Sequence, residues 1–186
     1  MRCARTAWPC SAPGAGARAP GRREMPHLAP QLAAFIRPPV CVLGFGNRLW
    51  RDDGAGSHLA ETLGGCPGVT AVDGGAVPEN HLEQVVRAGP GCVLLVDAAD
   101  FGGRPGEARL LEPSALARAG LSTHAGSAQM LARYLAARTG APVALLAIQP
   151  ADCSAGDGLS PPVAEAVAAL VAYFRNEQAQ ALRSMR

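Results

Sequence analysis

Cys92-Val-Leu-Leu-Val96 is an unbroken apolar run that ends directly on a carboxylate, Asp97. A strand with one wet face alternates apolar and polar side chains; a strand without alternation is covered on both faces, as in a parallel sheet. That run therefore asks for helices above and below it. The chain around it supplies them. Apolar strand-like runs at residues 40–46, 69–73, 92–96 and 142–148 alternate with helical patterns at 54–63, 79–88, 125–137 and 161–175. Shorter readings are an edge strand at 107–111 and a helix at 113–119. The expected fold is α/β: a three-layer sandwich with a twisted, mostly parallel sheet of about five strands and helices on both faces.

Domain organisation follows from composition. A single α/β domain is expected over residues 39–178, with no internal repeat and no second domain, and residues 179–186 read as a flexible tail. Residues 1–38 read as a disordered extension or as the product of a start placed too far upstream, with Met25 as the alternative initiator. The stretch 1–24 carries five arginines and one acid, rich in Pro and Gly and without an amphipathic pattern. Residues 25–186 hold twelve arginines against fourteen acids. A mildly acidic body lacks the electrostatic footprint of a nucleic-acid binder. No apolar run reaches the roughly 20 residues of a membrane helix, so no membrane insertion is expected. The six cysteines form no C-x-x-C pair. With no secretory segment ahead of them they suggest a reducing cytoplasm and no disulfide framework.

Chemistry concentrates at strand ends. Asp52 and Asp53 follow the first strand, Asp73 the second, Asp97 and Asp100 the third, and His124 opens a helix. In parallel strands these groups gather on one edge of the sheet, where open α/β sheets hold their ligands. Two carboxylates and an imidazole from separate loops make an open three-ligand site for a borderline divalent ion. Each has a plainer reading. Asp53 suits a helix N-cap, and Asp73 before Gly74-Gly75 suits a turn. His124 is an ordinary helix-entry residue, and His27, His58 and His81 have no stronger claim. Asp97 is harder to explain away, because a carboxylate closing a buried strand needs a partner or a task. Gly44-Phe-Gly46 resembles the start of a dinucleotide fingerprint, but Leu49 stands where its third glycine belongs. A non-catalytic nucleotide- or small-ligand-binding module is thus the competing reading. There is no G-x-S-x-G elbow and no H-E-x-x-H.

The order of short motifs is more specific than any one of them. Gly44-Phe-Gly-Asn47, Asp52-Asp53-Gly-Ala-Gly56, Asp73-Gly-Gly75, Leu94-Leu-Val-Asp97-Ala98 and Thr123-His124 together resemble the signature of the nickel–iron hydrogenase maturation endopeptidases. Pro78-Glu-Asn80, Pro105-Gly-Glu107, Ile148-Gln-Pro150 and Pro161-Pro-Val163 are most similar to the hydrogenase 3 (formate hydrogenlyase) branch. The resemblance covers about residues 40–175.

It implies an endopeptidase of aspartyl type that removes a C-terminal extension from a hydrogenase large-subunit precursor after nickel insertion. The nickel would arrive with the precursor and meet Asp53, Asp97 and His124, whether as a Lewis acid or only as a recognition tag. Some family members carry glutamate where Asp53 stands. The precursor is the implied partner, the protease itself is expected to be a monomer, and the family alternative is an inactive chaperone of the precursor. Gly74-Gly75 and Gly102-Gly103 would supply flexible rims for a peptide tail.

Overall fold

The computed structural model describes the backbone of residues 27–112 and 125–184, with side chains up to residue 112 and over 127–177. The sheet has five strands, β1 (Val40–Phe45), β2 (Val69–Gly75), β3 (Cys92–Ala98), β4 (Ala108–Leu111) and β5 (Val143–Ile148), in the order β2-β1-β3-β5-β4. Pairing of β1 with β2 and β3, and of β3 with β5, is parallel; β4 closes the edge antiparallel to β5. Helices α1 (Leu28–Phe35), α2 (Ala55–Leu63), α3 (Leu82–Arg87), α4 (Ala125–Thr139) and α5 (Pro161–Ser184) cover the sheet, with 3-10 turns at Arg51–Gly54 and Pro78–His81.

The two cores show why the strands lack alternation. Val40, Val42, Cys92, Leu94, Val96, Leu146 and Ile148 face Leu59 and Leu63 of α2, Leu28 and Leu32 of α1, and Leu170 and Phe174 of α5. The residues between them, Cys41, Leu43, Val93, Leu95 and Leu145, face Val85 of α3 and Leu131 and Leu135 of α4. Successive strand side chains point to opposite faces, and here both faces are dry. Each fully buried Leu or Phe contributes about 1.5–3 kcal/mol. The expected α/β sandwich of about five strands is the observed fold.

Several boundaries differ, each for a physical reason. α1 lies inside the stretch read as an extension. Pro30 looks like a helix breaker there, but it falls in the first turn, where its missing N–H is not needed, and Leu28 and Leu32 bury the helix on α5's side of the sheet. β2 runs past Asp73 to Gly75, because a bulge between Gly44 and Phe45 lets Phe45 pair with Gly75. The expected helix at 79–88 is a 3-10 turn followed by the short α3. α5 continues as helix to Ser184, through residues read as a tail. The expected helix at 113–119 lies outside the described residues. Among the described residues no helix is long and apolar enough to cross a membrane.

Candidate active site

The order β2-β1-β3-β5 reverses direction between β1 and β3: the chain goes from β1 outward to β2, then returns to place β3 on the other side. The crevice beyond the carboxyl ends of such a strand pair is the usual ligand site of an open α/β sheet. Asp97 is the penultimate residue of β3, and Asp53 sits in the 3-10 turn that follows β1. The two carboxylates identified from sequence therefore flank the switch point.

Glycines make the approach possible. Gly56, in the first turn of α2, lies so near the sheet that a Cβ there would stand 2.1 Å from the Val96 carbonyl oxygen and 2.5 Å from that of Phe45. Gly46 has φ +127°, and a Cβ on it would fall 1.8 Å from the Asp53 carbonyl oxygen. The chain thus folds back tightly enough to return Asp53 to the end of β1. Asp53 is not the N-cap that its position suggests. Gly54 occupies the cap position of α2 without a side-chain bond, while Asp53 Oδ2 accepts the Asn47 N–H at 2.9 Å.

Asp97 is buried, 5% exposed. Loss of hydration, and after it the negative charge of Asp53, push its carboxyl well above the usual carboxylate range, against the opposing Ala98 backbone N–H. Repulsion of this kind requires the two acids to be near one another. The Cys153 thiol joins them from the loop after β5. Burial raises it to about 12, with Asp53, Asp52, Asp152 and Asp97 adding repulsion.

The other acids named from sequence have structural partners. Asp73 accepts Ser57 Oγ–H at 2.6 Å, the Gly75 N–H at 3.0 Å and the Arg48 guanidinium at 2.7 Å, joining the end of β2 to α2. Asp100 accepts the Gly102 N–H and the Gln149 side-chain amide, both at 3.0 Å. Asp52 is fully buried and bonded throughout to the loop after β5. His124 lies outside the described residues. The helix that begins at Ala125, α4, packs on the sheet face that carries Val93 and Leu95, which alternation makes the face of Asp97 as well. His58 has its Nε2 buried without a hydrogen-bond partner, and burial lowers its pKa. Among the described residues no three His, Cys, Asp or Glu side chains gather closely enough to hold a metal ion.

The rim at Gly102-Gly103 is not the loose flap expected. Gln149, 7% exposed, accepts the N–H groups of Phe101 at 2.9 Å and Gly103 at 3.0 Å on one oxygen, and its backbone carbonyl takes the Gly106 N–H. Gln149 stands in the Ile148-Gln-Pro150 motif, which by itself does not reveal this task. A buried amide directly after an apolar strand was the available signal.

The family model for hydrogenase maturation proteases (HycI) matches residues 55–177. The hydrogenase 3 maturation protease of Escherichia coli K12 is 40% identical over 80 residues, 42% of this chain and 49% of that protein. The chain thus aligns with about half the length of that curated relative. The crystal structure of the maturation protease HycI from Thermococcus kodakarensis superposes with a TM-score of 0.68 at 27% identity, covering 75% of this chain and 91% of that one. A crystal structure titled as the hydrogenase 3 maturation protease gives 0.63 at 32% identity, covering 72% and 86%. With two thirds of its length under the family model and the same fold in solved members, this chain belongs to the hydrogenase maturation protease family.

Proposed function

We propose that the protein is an endopeptidase that removes the C-terminal extension of a nickel–iron hydrogenase large-subunit precursor after nickel has been inserted. The observation that carries this reading is the pair at the switch point: a buried Asp97, its neutral form favoured by burial and by the charge of the half-buried Asp53. Two close carboxylates without a cation are unfavourable, and a cation relieves both desolvation and repulsion. A site strained in this way is suited to a positive group brought by its substrate.

In this reading nickel is cargo, held by the precursor's own ligands. Asp53, Asp97 and His124 meet it from the protease side, two oxygen donors and one imidazole nitrogen, a set suited to a borderline ion. Burial and the charge of Asp53 favour the neutral carboxyl of Asp97, and a cation brought beside it would favour the carboxylate. Asp53 is held in place by the Asn47 N–H. Where nickel serves only as the recognition tag, one of the two carboxylates would act as general base towards the attacking water. The four described cysteines are free thiols, in keeping with the cytoplasm as the place of action.

The test is processing of a nickel-loaded and a nickel-free precursor by the full chain. Cleavage of the loaded form alone is expected. Equal cleavage of both would remove nickel recognition from the reading; cleavage of neither would make the protein a precursor chaperone.

A further inference from the structure

Asp52 spends its entire carboxylate on one segment. Oδ2 accepts the N–H groups of Ala151 at 2.8 Å and Asp152 at 2.9 Å and the Ser160 hydroxyl at 2.7 Å; Oδ1 accepts the Ser160 N–H at 2.6 Å. The Asp52 N–H in turn donates to the Asp152 carbonyl at 3.1 Å. The same two segments meet again beside it. Trp50 and Gly156 form a parallel bridge, with the Arg51 N–H on the Gly156 carbonyl and the Gly156 N–H on the Leu49 carbonyl. Arg51, in the left-handed region at φ +47°, brings its Nε to 3.3 Å from Asp152 Oδ2, an ion pair without hydrogen-bond alignment. Ser160 also begins α5, its carbonyl accepting the Val163 and Ala164 N–H groups.

The topology gives this lacing a consequence. β5 and β1 are not neighbours; β3 lies between them. A segment that leaves β5 and is fastened to the loop after β1 must cross the carboxyl end of β3, where Asp97 sits. Residues 150–160 therefore form a strap over that end, and Asp52 is its fastening. Asp53, the next residue, shares the fastened turn.

We infer that Asp52 is a positioning residue, which through Ser160 and the strap it anchors fixes Asp53 beside a covered Asp97. This rests on the reading of Asp53 and Asp97 as the reacting pair. Asp52 touches no substrate in this scheme. Its carboxylate is required because only donors face it, and a carboxylate is acceptor-only. An amide in its place would set an NH2 group against the Ser160 N–H or against the three donors on the other side.

The test compares full-length Asp52→Asn, Ser160→Ala, Ser160→Thr and Asp97→Asn on the nickel-loaded precursor, with rates expressed per folded molecule. For Asp52→Asn, kcat is expected to fall at least tenfold while KM stays within twofold. Ser160→Ala falls about threefold, and Ser160→Thr, which restores the hydroxyl, returns to within twofold of the native chain. Alkylation of Cys153 by iodoacetamide, read from its peptide by mass spectrometry, quickens in Ser160→Ala as the strap lifts, a variant that keeps the Asp52 charge acting on the thiol. Amide exchange rises at Ala151 and Asp152 but not along β3. A native kcat in Asp52→Asn, or exchange that rises equally in β3, overturns the inference. If Asp52→Asn does not fold, a native kcat in Ser160→Ala overturns it instead. Native processing by Asp97→Asn would overturn the site reading and this inference with it; an inactive Asp97→Asn beside a native Asp52→Asn overturns the inference alone.

Discussion

Asp53 and Asp97 stand on either side of the sheet's switch point, and the charge of the first adds to burial in holding the proton of the second. Neither residue is unusual alone: one is a turn acid bonded to the Asn47 N–H, the other a strand-end acid. Their pairing is what separates them from Asp52, Asp73 and Asp100, each of which has its carboxylate met by two or more hydrogen-bond donors.

Asp97→Asn is expected to abolish processing and to stabilise the fold at neutral pH. The sign follows from proton linkage. Above the ordinary Asp value of 3.8 the unfolded chain has released this proton while the folded chain still holds it. The folded state then binds more protons, so its stability declines as pH rises, until the raised folded value is passed. Asparagine cannot ionise and escapes the decline. The melting temperatures of the two chains should differ little near pH 4 and diverge towards pH 7, by about 2–4 °C for each kcal/mol recovered. A constant difference across that range would mean that Asp97 carries no excess proton affinity.

Gly56→Ala tests the seating of α2. The added methyl would meet the Val96 and Phe45 carbonyl oxygens, both of them backbone, so no flexible side chain can yield. Overpacking of this kind costs about 1–3 kcal/mol. The displaced helix start would also move Asp53, so urea unfolding should show a lower midpoint together with weaker processing per folded molecule.

The sheet and the acid pair were legible because their signals are local. An apolar run without alternation implies two covered faces, and Asp97 closing such a run stands out whatever surrounds it. Much of the rest depended on contacts distant in sequence. The partners of Asp52 lie about a hundred positions away, so nothing near the Asp52-Asp53 doublet marks one acid as bonded to a distant loop and the other as the neighbour of Asp97. α1 adjoins the Arg-, Pro- and Gly-rich stretch 1–24 and reads with it as an extension, although Leu28 and Leu32 bury it against the sheet. The Gly102-Gly103 rim looked loose because glycines signal a turn, and Gln149, which pins it, belongs to another strand end.

Gln149→Leu is expected to loosen that rim. The substitution strips the Phe101 and Gly103 N–H groups of their acceptor and Asp100 of one donor. Part-buried donors left unpaired cost about 1–3 kcal/mol each, less where water reaches them. A loss of about 2 kcal/mol in urea unfolding is the expectation, with faster amide exchange at Phe101 and Gly103. Gln149→Glu should restore the two acceptor bonds but set a carboxylate against Asp100, so its deficit should shrink as the pH is lowered. Equal deficits at all pH values would refute the role given to the Asp100 contact.

Cys153 reports on the site from outside its chemistry. Its thiol, raised to about 12 by burial and by the surrounding acids, of which Asp53 acts most strongly, leaves little thiolate at pH 8. Because the thiolate is the nucleophile and its fraction falls about tenfold per unit of pKa, alkylation of native Cys153 should run well over tenfold slower than that of a small-molecule thiol. Asp53→Asn and Asp97→Asn each remove one of the opposing charges, and both should speed the reaction without lifting the strap. The effect should be larger for Asp53→Asn, since Asp53 is the strongest of the opposing charges and Asp97 the weakest. Mass-spectrometric labelling rates at pH 8 decide the matter: equal acceleration by the two variants would refute the stronger action of Asp53, and no acceleration by either would place the thiol away from the acid pair.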